Sequence, residues 1–128
     1  MSEIKSILTP NAPAPGGHYS QAIVHNGTVY VAGQLAIDKD GNKLTDASAE
    51  AQTELVFQNI EAILQAAGSS LDRLLAVTIF ISDINDWGKI NETYIRILGE
   101  HRPARAVIPV APLHFGLKLE VTAVAAVL

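Results

Sequence analysis

The sequence contains no cysteine, and this absence removes disulfide bonds, thiolate nucleophiles and cysteine metal sites together. No apolar stretch reaches the roughly 18 residues of a membrane-spanning helix, and the N-terminal residues lack the apolar segment of a secretory signal. Lysine and arginine never form a run, and the formal net charge of −4 repels phosphate backbones and anionic lipids. These absences predict a soluble, cytoplasmic protein that needs neither a membrane nor a nucleic acid as its partner.

Several catalytic motifs are also missing. The four histidines show neither i,i+4 pairing nor the spacing of metal ligands, so we expect no metal site; they are His18, His25, His101 and His114. The sequence has no Gly-x-Ser-x-Gly elbow and no phosphate-binding glycine loop. The two glycines of "PGGH" follow no predicted strand, as a dinucleotide fingerprint would require. Metal-dependent, serine-hydrolase and nucleotide chemistry therefore have no support in the motifs.

The residues that are present predict one domain with several strands. Of the 128 residues, 48% are hydrophobic, which is enough for a single core, so we expect one domain over residues 1–128. Asn26 and Gly27 stand between two β-rich runs, and this pair is a strong hairpin signal. We predict strands over 20–25, 28–36, 74–81, 104–110 and 117–127.

Two segments change from the strand period to the helical period. Apolar residues recur at helical spacing from Ala47 to Gly68, and again from the residues after Asn85 or Asp86 up to Gly99. The element order is then β-β-α-β-α-β-β. This order predicts an α+β fold in which two helices pack on one face of a mixed sheet.

The last two predicted strands carry charges among apolar residues. Side chains alternate between the two faces of a strand, so Arg105, Val107 and Pro109 share one face of the first strand. By the same alternation, Glu120 and Val124 share one face of the second. We expect these side chains to share the sheet face opposite the helices, where partner subunits would cover the apolar residues. The alternative is a cross-strand ion pair between Arg105 and Glu120 on a solvated sheet, and spacing alone slightly favours it.

The stretch "PARAVIPVAPLHFGLKLEV" resembles the signature of the Rid family, the reactive intermediate deaminases, which are also known as ribonuclease L-PSP-like proteins. The hallmark is a Pro-x-Arg at the start of one strand and an apolar-Glu-apolar triplet in the next. Pro103, Arg105 and 119–121 match it. "NAPAPGGHYSQA", "VYVAGQLA" and "INETY" also resemble family motifs, in the family's order. The resemblance thus extends over nearly the whole chain.

The resemblance implies a fold, an assembly and an activity. The fold would be chorismate-mutase-like, and three copies would form a homotrimer with ligand clefts between neighbouring subunits. The activity would be the hydrolysis of 2-imino and enamine acids, such as 2-iminopropanoate and 2-iminobutanoate, to 2-keto acids and ammonia. Such a hydrolase needs no cofactor, and its partner is a small imine or keto acid that carries a carboxylate.

The resemblance also assigns roles to residues. Arg105 would bind the substrate carboxylate through two parallel hydrogen bonds, and Glu120 would orient the attacking water and exchange protons as the nitrogen leaves. Tyr19 would line the cleft as a third catalytic residue, Gly33 would let the substrate approach the backbone, and Asn91 would lie in the binding pocket. Tyr19 and Asn91 also admit structural roles, in packing under a loop and in fixing a helix.

Some positions depart from the family pattern. Val107, a further candidate for substrate binding, stands where cysteine is frequent, Ala32 where serine is common, and His18 where proline is frequent. The predicted pocket is therefore more apolar than in typical members. His114 and Phe115 replace a more polar turn, and they either shape the cleft or form a surface turn.

Three functions remain open from the sequence. The first is an imine hydrolase, and the second is a trimeric protein that binds 2-keto acids for regulation without turnover. The third is an endoribonuclease, which an acidic chain without a basic stripe supports least. The presence of both Arg105 and Glu120 favours the hydrolase, because a binding protein needs the anchor but not the acid that positions water.

Overall fold

Six strands and two helices make up the computed structural model, which describes residues 3–128. The strands are β1 (Lys5–Ile7), β2 (Ala22–His25), β3 (Thr28–Gln34), β4 (Leu74–Ile81), β5 (Ala104–Pro109) and β6 (Leu119–Ala126), and the helices are α1 (Ala49–Ala66) and α2 (Trp87–Leu98). The strands form one sheet in the order β1-β2-β3-β6-β4-β5, in which β4 and β5 are parallel and all other neighbours are antiparallel. The predicted α+β class is confirmed. Strand β1 was not predicted, because three residues are too few to show a period.

The β2–β3 hairpin follows the turn signal in the sequence. His25 pairs with Thr28, and the two residues between them have positive φ angles, 51° at Asn26 and 76° at Gly27. A two-residue turn of this kind requires the left-handed region at both positions, which asparagine and glycine tolerate best. Strand β3, which follows the turn, lies between β2 and β6 in the sheet, and it carries Ala32 and Gly33 near its C-terminal end.

Both helices begin and end where the chain offers caps. The Ser48 hydroxyl accepts a hydrogen bond from the Ala51 amide at 3.1 Å at the start of α1, and Gly68, with φ of 80°, follows its end. Gly99 ends α2 in the same way, with φ of 62°. No helix among residues 3–128 is long and apolar enough to cross a membrane.

The core lies between the helices and one face of the sheet. Helix α1 buries Val56, Ile60 and Leu64 completely, and the Phe57 ring meets the Tyr94 ring of α2 edge to face at 5.5 Å. Each fully buried large apolar side chain contributes about 1.5–3 kcal/mol relative to exposure. This packing fixes α2 across the sheet, and α2 in turn carries residues of the candidate site.

The register of β4 determines which face each charged residue occupies. Strand β4 lies between β5 and β6, so the last two strands of the chain are not neighbours. Val77 pairs with Arg105 in β5 and with Ala123 in β6, whereas Phe80 pairs with Glu120. Paired residues point to the same face, and the face of Val77 is buried under the helices.

Arg105 therefore lies on the helix-covered face and Glu120 on the opposite face, which we call the open face. The prediction that the two side chains share one face was wrong. The alternation of side chains tells which residues of one strand share a face. It does not tell which faces of two strands coincide when their register is unknown. Val107 and Pro109 also belong to the helix-covered face, where they pair with Ile79 and Ile81.

The open face is nevertheless mostly apolar, although only Val124 of the three apolar residues predicted for it lies there. Its strand residues, identified from the register, are Ser6, Ile23, His25, Thr28, Tyr30, Ala76, Thr78, Phe80, Ala104, Ala106, Ile108, Glu120, Thr122, Val124 and Ala126. Tyr30 is 51% exposed and Ile108 is 41% exposed in the single chain. Large apolar side chains on such a face are typical of a surface that a partner covers.

Candidate active site

The proline- and glycine-rich segment before β2 is held in place by one buried glutamine. The Gln21 side-chain oxygen accepts a hydrogen bond from the Thr9 amide at 2.7 Å, and its Nε2 donates to the Thr9 and Pro13 carbonyl oxygens at 3.1 and 3.0 Å. Gln21 is almost fully buried. These hydrogen bonds satisfy the backbone of a segment that cannot form regular structure. Gln21 belongs to the matched "YSQA" motif, but the sequence alone gave it no role.

Tyr19 is exposed on this segment. Its hydroxyl oxygen accepts a hydrogen bond from the Gly16 amide at 3.1 Å, and its ring packs beside Gly17. The ring is 54% exposed, so it does not belong to the core. Because the oxygen is already an acceptor, the hydroxyl hydrogen is free to be donated to a ligand.

Gly33 and Glu120 lie against each other. The β3–β6 register shifts between Val31 and Gln34, and Gly33 lies in this irregular stretch. A Cβ atom at position 33 would come within 3.1 Å of the Glu120 carboxyl carbon, and closer still to one of its oxygens. Glycine is therefore the residue that leaves room for the carboxylate in this position.

Among the described residues, no cation lies within ion-pair distance of the Glu120 carboxylate. The single ion pair among residues 3–128 joins Arg96 to Glu54. Glu120 is half-buried and lines a cavity of about 700 Å³, together with Tyr19 and Gly33. A carboxylate in this setting keeps its acceptor capacity for a water molecule or a ligand.

Arg105 lies in a second cluster on the helix-covered side. Its guanidinium carbon is 4.8 Å from the centre of the Trp87 ring and 4.9 Å from that of Tyr94. Its Nη1 donates a 2.9 Å hydrogen bond to the Asn91 side-chain oxygen. Positions 87, 91 and 94 lie on one stripe of α2, so a single helix face orients the guanidinium.

The charge of Arg105 is not neutralised by its neighbours. Burial raises the pKa of the Tyr94 hydroxyl above its usual range, although the positive charge of Arg105 opposes this shift. The phenol is therefore uncharged at neutral pH. Asn91 is neutral as well, and it occupies one donor of the guanidinium. The remaining donors are available to an anion, and a planar guanidinium binds a carboxylate through two parallel hydrogen bonds.

The predicted site residues thus form two groups rather than one. Tyr19, Gly33 and Glu120 line the cavity of about 700 Å³, while Asn91 and Arg105 line a separate one of about 490 Å³. Two strand spacings and three residues along β4 place the Cα atoms of Arg105 and Glu120 roughly 14 Å apart, with side chains on opposite faces. No ion pair joins them. One small molecule cannot contact both groups within a single chain.

Val107 and Ala32, the two remaining candidate positions, differ in whether they line a cavity. Val107 is half-buried, packs against the core and lines neither cavity, so its part in substrate binding stays a prediction. Ala32 lines the larger cavity. In the part of the chain that the structure describes, no three His, Cys, Asp or Glu side chains come together as a metal site would require.

Sequence reasoning missed the aromatic contacts to Arg105. Trp87 and Tyr94 belong to the apolar residues that recur at helical spacing in the second predicted helix, and the pattern assigns them no further role. The signal was their spacing from Asn91, which puts all three on one side of the helix. This spacing indicates contacts with Arg105 only when β5 is known to lie beside that helix face.

Comparisons with known proteins agree with the resemblance in the motifs. The family model described as Endoribonuclease L-PSP matches residues 9–127. A RutC family protein of Pyrococcus horikoshii is 41% identical over 119 residues, which cover 93% of this chain and 94% of that protein. The rat protein named 2-iminobutanoate/2-iminopropanoate deaminase is 36% identical over 121 residues, which cover 94% of this chain and 88% of that protein.

A solved structure extends the agreement to the fold. The crystal structure of E. coli TdcF with bound serine has a TM-score of 0.90 and 35% sequence identity, and the match covers 95% of this chain and 98% of that one. The mixed six-stranded sheet with two helices is the chorismate-mutase-like fold of such neighbours, as predicted.

Proposed function

This chain belongs to the endoribonuclease L-PSP family, which includes the Rid proteins, and we propose that it hydrolyses reactive 2-imino acids and their enamine tautomers to 2-keto acids and ammonia. The observation that carries the proposal is the pair of half-sites. One presents a guanidinium oriented by Asn91 and two rings, and the other presents a carboxylate with no cation of the described residues within ion-pair distance. These are the groups that binding a 2-imino acid and adding water to it require.

We place the complete site between two subunits of a homotrimer. Within one chain, Arg105 and Glu120 are too far apart and face opposite ways. A neighbouring copy that covers the open face would bring its Arg105 to the cavity that contains Glu120. The exposed Tyr30 and Ile108 on that face support such burial. The trimer is therefore part of the chemistry and not only of the stability.

Arg105 anchors the substrate in this scheme. A 2-imino acid carries a carboxylate on the carbon next to the C=N bond, so a bidentate guanidinium fixes the position of the reacting carbon. A hydrogen bond to a charged group is worth about 1.5–3 kcal/mol. Asn91, Trp87 and Tyr94 hold the guanidinium before the substrate arrives, which reduces the ordering cost of binding.

Glu120 acts on water. The carboxylate accepts a hydrogen bond from the water, takes its proton as the oxygen adds to the C=N carbon, and passes that proton to the nitrogen. The resulting carbinolamine has hydroxyl and amino groups on one carbon. Glu120 then takes the proton of this hydroxyl, which becomes the keto oxygen, and delivers it to the nitrogen as the C–N bond breaks and ammonia leaves. One water is consumed, and no cofactor takes part.

Tyr19 and Gly33 have supporting roles. The Tyr19 hydroxyl keeps a hydrogen to donate, and the departing nitrogen of the carbinolamine is a suitable acceptor. Gly33 keeps the space in which the Glu120 carboxylate and the substrate meet. Both residues belong to the half-site that lines the larger cavity.

Similar proteins support the substrate class. The rat relative is named for the deamination of 2-iminobutanoate and 2-iminopropanoate. The E. coli relative has been solved with serine, an amino acid whose carboxylate is attached as in a 2-imino acid. The binding of 2-keto acids without turnover is the second candidate, because the Arg105 half-site alone suffices for it.

A coupled assay tests the proposal. An amino-acid oxidase, with catalase to remove peroxide, generates the imine from alanine or 2-aminobutyrate, and semicarbazide traps the imine that remains. We expect this protein to lower the semicarbazone signal and to raise the amount of free 2-keto acid by the same amount. An unchanged signal combined with calorimetric binding of 2-keto acids would support the binding protein instead.

A further inference from the structure

Phe115 has a backbone conformation that its side chain does not favour. Only two non-glycine residues among residues 3–128 have positive φ angles, and they are Asn26 and Phe115. Asn26 lies in the tight hairpin, where asparagine is common. Phe115 has φ of 61° and ψ of 17° in the turn before β6, and bulky residues are rare in this region of the map. Such an outlier calls for a functional explanation.

The surroundings of Phe115 hold both its backbone and its ring. The Thr45 hydroxyl donates a 2.9 Å hydrogen bond to the Phe115 carbonyl oxygen, and the Thr45 methyl group packs beside Gly116. The ammonium group of Lys43 lies 4.6 Å from the centre of the Phe115 ring. The turn is thus tied to the segment before α1, which keeps the ring in one place.

The ring is held at the cavity and not in the core. Phe115 is 54% exposed and lines the same cavity of about 700 Å³ as Tyr19 and Glu120. Leu35 and Ile37, which follow β3, supply further apolar lining. A volume of this size is typical of sites for ligands much larger than 2-iminopropanoate, whose side chain is a single methyl group.

We infer that Phe115 is a specificity-determining residue that receives the substrate side chain, so that the preferred substrates are 2-imino acids with larger apolar side chains, such as those derived from leucine and phenylalanine. The inference rests on the proposed imine hydrolysis. Glu120 and the partner subunit's anchor would fix the reacting carbon, and the side chain of the substrate would extend along the cavity to the ring.

The lysines of the cavity favour a different class of substrate from the one that Phe115 favours. Lys39 and Lys43 also line it and favour an acidic substrate side chain. However, the Lys43 ammonium is already stacked over the Phe115 ring, and the carboxylate of Asp40 lies on the same lining. The imine of glutamate therefore belongs in the test as the alternative outcome.

The test compares imines made by amino-acid oxidases from alanine, leucine, phenylalanine and glutamate. Phe115→Asn removes the ring but tolerates the left-handed backbone, and Phe115→Tyr keeps the ring as the matched control. We expect wild type to prefer the leucine and phenylalanine imines. Phe115→Asn should lower kcat/KM for them about tenfold and change the alanine imine less than twofold. Phe115→Tyr should retain the preference.

Other results would overturn the inference. A wild-type preference for the glutamate imine, or an equal effect of Phe115→Asn on all four imines, would show that the ring does not select the side chain. Binding of pyruvate and 4-methyl-2-oxopentanoate, measured by calorimetry on the same variants, separates this failure from that of the proposed function. If no imine is hydrolysed but Phe115→Asn still selectively weakens the larger keto acid, hydrolysis fails and the specificity assignment stands.

Discussion

Replacing Arg105 by lysine should separate carboxylate recognition from simple charge. Lysine keeps the positive charge but loses the planar fork, the Nη1 hydrogen bond to Asn91 and the contact of the guanidinium with the rings of Trp87 and Tyr94. Loss of one charge-assisted hydrogen bond costs about 1.5–3 kcal/mol. At about 1.4 kcal/mol per tenfold, we expect kcat/KM for imine hydrolysis to fall roughly ten- to hundredfold.

The control for this substitution lies on the neighbouring helix. Arg96 in α2 pairs with Glu54, is 62% exposed and lines neither cavity of the candidate site, so Arg96→Lys should change kcat/KM less than twofold. Both variants are assayed after light scattering has established that they assemble like wild type. If Arg105→Lys retained kcat/KM within twofold, the bidentate role and the mechanism built on it would be refuted. RNA affinity on the same samples should be weak and insensitive to the change, because phosphate contacts respond mainly to charge.

Substitutions at three further positions test the rest of the site. Glu120→Gln should lower kcat about 10²–10⁴-fold and leave 2-keto acid binding nearly unchanged, as stopped-flow assays and calorimetry would measure; unchanged turnover would make Glu120 structural. Trp87→Leu should raise KM several-fold with a smaller effect on kcat, and Trp87→Phe should restore KM, because an aromatic ring again stacks on the guanidinium. Gly33→Ala should lower kcat at least tenfold, because the new Cβ atom displaces the Glu120 carboxylate. The unfolding temperature Tm of this variant should stay within a few degrees of wild type, and full activity would contradict the close contact between Gly33 and Glu120.

Local features of the fold were predictable because short-range chemistry determines them. Asn26 and Gly27 specify the hairpin turn through their tolerance of positive φ, and Gly68 and Gly99 specify the ends of the helices. The helical and strand periods separated α1, β4 and α2 correctly. Strand β1 was not predicted because it is short and depends on its pairing with β2.

The relation between the two half-sites was not predictable from periodicity. Parity assigns Arg105 and Val107 to one face of β5, but only pairing with β4 decides that this face is the covered one. That pairing depends on the parallel crossover through α2, which brings β5 to the sheet edge beside its own helix. The family resemblance identified Arg105 and Glu120, and the register separates them within the chain.

A subunit-mixing experiment tests the shared site most directly. Arg105→Ala lacks the anchor and Glu120→Gln lacks the base, so each variant alone should be nearly inactive. In the proposed homotrimer, co-expression in equal amounts with different tags should give mixed trimers, in which an intact site would need an arginine from one subunit and a glutamate from the next. We predict that the whole co-expressed population recovers about one quarter of the wild-type activity per site, and that purified mixed trimers recover about one third, because each of them has one intact site among its three. No recovery in mixed trimers of confirmed composition would contradict a site shared between subunits.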